Sequence, residues 1–137
     1  MCKSALYTAN VVPENVNIGD SVSFGEAIRR FGNSIRVVGG NIVTKGCGDY
    51  NFVINVDYTG ASTGTTATTF TVYDNGQPIP GAKKTVTTGA SAVEDLTIPF
   101  MAKNTCCMEH IITVVVSGQN ITNVTASATV TKIRETA

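Results

Sequence analysis

Between Tyr50 and Tyr58 the side chains alternate, with Phe52, Ile54, Val56 and Tyr58 on one side of an extended chain and Asn51, Val53, Asn55 and Asp57 on the other. A period of two, broken only by Val53, marks a strand with one covered face. The pattern recurs, predicting strands over 5–12, 21–24, 35–38, 41–44, 50–58, 66–74, 77–88, 92–102, 110–117 and 124–133. Each is short, rich in Val, Ile, Thr or aromatic residues, and bounded by Gly, Asn, Asp or Pro. Asp74-Asn75-Gly76-Gln77 marks the sharpest hairpin, because Asn-Gly supplies the positive φ angles of a tight primed turn. Residues 25–32, GEAIRRFG, have a helical look but are too short for a helix, and read as a turn or a strand continuation. No strand–helix alternation appears. The expectation is an all-β, antiparallel two-sheet jelly-roll sandwich of about 8–10 strands. A seven-stranded immunoglobulin-like sandwich is the competitor, although the chain has no Trp for its core anchor.

The 137 residues, 42% of them hydrophobic, suffice for one domain with a real core, expected over 5–137, with 1–4 as an attachment segment. Ten basic and ten acidic residues cancel, so no broad field draws nucleic acid or an anionic membrane. Apolar runs stop after a few residues, which predicts no membrane-spanning helix. No apolar stretch follows Lys3, so no signal peptide is predicted and synthesis in a cytoplasm is expected. Two Asn-X-Thr sequons, at Asn120 and Asn123, then read as products of a Thr-rich strand.

Candidate chemistry is sparse. Cys2, Cys47, Cys106 and Cys107 are the only cysteines and His110 the only histidine. Adjacent cysteines on an extended chain point to opposite sides and share one metal poorly, so a zinc site from Cys47, Cys106 or Cys107 and His110 is disfavoured. A disulfide from Cys47 to Cys106 or Cys107 fits better, and buried free thiols in a reducing cytoplasm fit best. A Cys107–His110 dyad has neither an orienting third group nor an oxyanion loop in view, and the carboxylates are dispersed. Glu94-Asp95 reads as a solvated pair before a calcium site. Gly39-Gly40 and Gly46-x-Gly48 serve turns, since no helix with Lys-Ser or Lys-Thr follows to complete a phosphate cradle. No enzyme, cofactor or metal is expected.

The opening Ala5-Leu6-Tyr7-Thr8-Ala9-Asn10, the Gly19-x-x-Val22-x-Phe24 step, Gly46-x-Gly48-x-Tyr50-x-Phe52-x-Ile54 and the closing 124–130 run resemble the C1q/tumour-necrosis-factor-like jelly roll over roughly 5–133. The resemblance is to its small bacterial and bacteriophage forms: phage head fibres, capsid decorations and spore-filament tips. It implies a homotrimer with Tyr50, Phe52, Ile54, Val124, Ala126, Ala128 and Val130 in or beside the subunit interface. Ordinary monomer core is the other reading of these residues. No Gly-X-Y repeat precedes the globular part, which argues against the spore filament. The implied role is a non-enzymatic knob on a virion, assembled in the host cytoplasm, whose partners are its own copies and a major capsid or other virion protein. The alternative is a tip on a phage fibre or a bacterial or spore surface, binding a host glycan or receptor through loops 59–65, 75–81 and 103–109.

Overall fold

A computed structural model of the chain describes residues 4–60, 66–104 and 108–134. Ten strands follow one another: β1 (Ala5–Val16), β2 (Glu26–Phe31), β3 (Ile35–Val38), β4 (Asn41–Lys45), β5 (Gly48–Thr59), β6 (Thr66–Asp74), β7 (Gln77–Thr88), β8 (Val93–Asn104), β9 (Glu109–Ser117) and β10 (Ile121–Arg134). They form two five-stranded antiparallel sheets, β2-β1-β10-β5-β8 and β3-β4-β9-β6-β7. The architecture is the expected jelly-roll sandwich.

Two segments differ from the sequence reading. Within residues 25–32, Glu26–Phe31 form β2, a strand at the edge of the first sheet, paired through Ala5↔Phe31 and Tyr7↔Arg29. Its side chains are all exposed, so no one-sided alternation marks it in the sequence. Gly25 makes the entry: its φ is +71°, and a Cβ there would collide with the Ala9 carbonyl. Residues 21–24 form no strand of their own, with Ser21↔Val115 as their one isolated bridge. They are anchored by Val22 N donating to Val114 O at 2.8 Å and Phe24 N to Gly40 O at 2.8 Å, which brings Val22 and Phe24 into the core.

The core lies between the sheets and is built from the inward residues of each alternating strand. Leu6, Phe52, Ile54, Val56, Ile98 and Val130 from one sheet meet Ile42, Phe70, Val72, Ile112, Val114 and Val116 from the other. Phe52 stacks on Phe100 across the β5–β8 pair, with centroids 4.7 Å apart and planes 5° from parallel. Thr8 is one of the buried polar residues in this wall, its Oγ1 lying 2.6 Å from Phe24 O and 2.8 Å from Glu26 O. It ties the β1 strand to the segment that turns into β2. Ser4 is buried, and its backbone oxygen accepts from Lys132 N at 2.9 Å, so the sandwich begins before Ala5.

Both basic doublets lie on sheet edges, Arg29-Arg30 on β2 and Lys83-Lys84 on β7. Three of the four prolines also fall on edge strands, Pro78 and Pro80 on β7 and Pro99 on β8. A missing N–H is harmless only where it faces no partner strand.

Candidate functional site: an outward sheet face and a rim groove

The outward face of the first sheet is built by the residues that alternate with the core. Strand register sets them in rows: Phe31, Ala5, Thr131, Asn51 and Met101 in one, Arg29, Tyr7, Thr129, Val53 and Pro99 in the next. Tyr7 (44%), Phe31 (54%) and Met101 (60%) are large apolar side chains left open to solvent on this face. Arg29 lies 5.4 Å from the centroid of the Phe31 ring, close enough for a cation–π contact. Further along, the face turns polar, with Ala9, Ser127, Asn55 and Thr97 in one row and Thr125, Asp57 and Asp95 in the last. A shallow groove of about 320 Å³ runs over Ala9, Ser127 and Thr125 between Tyr7, Val11 and Asp57. Its floor is made of small side chains, so it is shaped to receive a protruding one.

A second groove, of about 430 Å³, opens at the rim where the β6–β7 hairpin approaches β8. Gln77, Pro78, Ile79 and Pro80 form one wall, Met101 and Lys103 the other, and Asp74 with His110 closes the end. His110 Nδ1 is 2.8 and 2.9 Å from the two Asp74 carboxylate oxygens. Asn75 continues the link, its Oδ1 accepting from Ile111 N at 2.8 Å and its Nδ2 donating to Glu109 O at 3.1 Å. Beside them Arg36 and Glu109 form an exposed ion pair at 2.6 Å. The Asp74–His110 pairing was invisible in the sequence, because 36 residues separate the two and only the β6–β9 register brings them together.

The residues assigned by resemblance to a subunit interface lie elsewhere. Tyr50, Phe52, Ile54, Val124, Ala126, Ala128 and Val130 are no more than 4% exposed in a single chain. They face the opposite sheet and form core within a single chain. Of the loops expected to bind, residues 75–81 meet Lys103 at the rim groove, whereas residues 61–65 and 105–107 lie outside the described residues. Cys47, in the β4–β5 turn, is disulfide-bonded, which agrees with the disulfide expected at this residue and sets aside the free thiol that was the other reading. Cys2, Cys106 and Cys107 lie outside the described residues, and with them the dyad drawn through Cys107. Among the described residues no three His, Cys, Asp or Glu side chains converge on a metal position.

Among the described residues, one ionisable group is buried without a formed hydrogen bond, the Tyr58 hydroxyl. Burial raises its pKa above 10.0, the nearby Thr68 hydroxyl works against the shift, and the charge of Glu94 adds to it. Thr68 Oγ1 already accepts from Gln119 Nε2 at 2.6 Å.

No protein-family model matches the chain, and no curated protein matches it. Solved structures do. The globular domain of zebrafish complement 1qA superimposes with a TM-score of 0.63 at 15% identity, covering 98% of this chain and 99% of that one. Eiger TNF from S. frugiperda gives 0.71 at 7% identity, covering 100% and 96%. The vertex protein P5 of PRD1 gives 0.61 at 14% identity, covering 98% and 99%. The fold is the C1q/TNF-like jelly roll. At these identities the likeness lies in the path of the chain, and the C1q/TNF-like frame leaves the surfaces of this molecule to be read from its own residues.

Proposed function

We propose that this C1q/TNF-like domain is a non-enzymatic structural knob that self-associates as a homotrimer and is displayed on a virion as a head fibre or capsid decoration. The observation that carries the reading is the set of exposed Phe31, Tyr7 and Met101 on the outward face of the β2-β1-β10-β5-β8 sheet, with exposed Pro99 and half-buried Val53 among the polar residues between them. Exposed large apolar side chains gathered on one face are unfavourable in water and mark a surface that meets another. A second copy is the occupant we favour, with its own rim strands laid against this face and a protruding side chain in the groove over Ala9 and Ser127. The vertex protein P5 of PRD1 supports the virion setting, as a protein of the same fold named for a place on a particle. The N-terminal residues before Ser4, with a capsid or other virion protein as partner, supply the attachment in this reading.

Light scattering on the purified chain tests it. A mass three times 14.3 kDa is expected, and a mass of one chain at micromolar concentration overturns the trimer.

The rim groove favours a second reading, recognition of a host-surface glycan or receptor. It combines a rigid proline-flanked wall with the hydrogen-bonding groups of Gln77, Lys103 and the Asp74–His110 pair. Three copies would raise avidity without any new contact. A glycan array probed with wild type and with Lys103→Ala separates the two readings: binding that Lys103→Ala abolishes supports recognition, and an array without signal leaves the knob as decoration alone.

A further inference from the structure

Asn75-Gly76 is chemically the most labile dipeptide of an exposed hairpin, and the structure holds it in an unusual way. Asn-Gly sequences lose ammonia when the Gly N–H attacks the Asn carboxamide, because glycine puts no side chain in the path. Here Asn75 has φ +49° and Gly76 +82°, the primed turn that Asn-Gly was expected to form. Three hydrogen bonds fasten Asn75 to β9. Its backbone N donates to Ile111 O at 3.0 Å, its Oδ1 accepts from Ile111 N at 2.8 Å, and its Nδ2 donates to Glu109 O at 3.1 Å. The neighbouring Asp74–His110 pair adds a fourth tie between the same two strands.

We propose that Asn75 is a folding-gated deamidation site, protected in the native chain and exposed to modification whenever the tip of the β6–β7 hairpin lifts from β9. Attack requires the carboxamide carbon to swing over the Gly76 nitrogen, and that rotation breaks both side-chain hydrogen bonds to β9. Once they open, Gly76 N bonds to Asn75 Cγ, the Cγ–Nδ2 bond breaks, and ammonia leaves with the proton from Gly76. Water then opens the cyclic imide at either carbonyl, giving aspartate or isoaspartate at position 75. The net change is one water consumed and one ammonia released.

The modification also prevents reclosure. A carboxylate at 75 has no N–H for Glu109 O and adds a negative charge beside Asp74. Isoaspartate adds a methylene to a two-residue turn whose length sets the register of Asp74↔Gln77. The turn thus keeps a permanent chemical record of having opened.

Peptide mapping by mass spectrometry tests this on the full chain, incubated folded and in urea under the same mildly alkaline conditions. Deamidation at Asn75 is expected to be about tenfold or more slower in the folded chain, the ratio being set by the free energy of opening the hairpin tip. Equal rates in the two states overturn the proposal. His110→Ala, which removes one tie between the hairpin and β9, is expected to raise the folded-state rate several-fold and leave the rate in urea unchanged. Asn75→Asp, standing for the product, is expected to lower the melting temperature by about 3–6 °C, and an unchanged melting temperature would count against the claim that reclosure is blocked.

Discussion

The two faces of β5 and β10 are one residue apart in sequence and opposite in character. Inward, Phe52, Ile54, Val124 and Val130 are sealed against the second sheet. Outward, Val53, Asn55, Ser127 and Thr129 stay at the surface beside Tyr7, in rows that pass from apolar to acidic. The inward face is covered by the chain itself, and the outward face stands open to solvent. Buried apolar residues therefore report folding, and the residues between them set what the surface offers.

The sharpest way to break this comparison is a charge on each face. Ile54→Asp places an unpaired carboxylate in the inter-sheet core, at a cost of several kcal/mol, comparable with the whole stability of such a domain. Loss of the cooperative thermal transition is expected. A folded Ile54→Asp chain would show that the inward face tolerates what only an outward one should. Tyr7→Asp, one pleat out, is expected to keep the β-type circular dichroism while the light-scattering mass drops from three chains to one. If the mass stays threefold, the outward face is not where copies meet.

Smaller changes sharpen the contrast within the core wall. Thr8→Val keeps the shape but removes the hydroxyl that serves the Phe24 and Glu26 carbonyls, and about 1–2 kcal/mol of stability should go with it in urea titrations. Tyr58→Phe removes a buried hydroxyl with no formed hydrogen bond and is expected to change stability at neutral pH by less than about 1 kcal/mol. The variants should separate in alkali. Because the folded pKa of Tyr58 lies above the unfolded 10.0, its contribution is complete below pH 10 and falls as the unfolded chain alone begins to ionise. Wild type should therefore lose stability above pH 10 more steeply than Tyr58→Phe. Parallel curves would mean that Tyr58 ionises equally in both states.

Much of the fold was legible because period-two alternation survives wherever one face is sealed. The hairpin strands β6 and β7 occupy the expected residues, and β5 extends only one or two residues beyond its predicted ends. β2 was obscured because an edge strand exposed on both faces has no reason to alternate. The grooves were less accessible still. Of the three loops expected to form a contact surface, the structure draws residues of 75–81 and Lys103 around one opening. The His110 partner depended on strand register, which no local pattern encodes.

The edges of the sandwich carry a last consequence. β2, β3, β7 and β8 leave backbone groups open to solvent, and an open edge invites another strand to continue the sheet. Arg29-Arg30 on β2, Arg36 on β3, Pro78, Pro80 and the lysine doublet on β7, and Pro99 on β8 put like charges or missing donors in the way. Fibrillar growth, which would link copies edge to edge without limit, is thereby discouraged at all four borders.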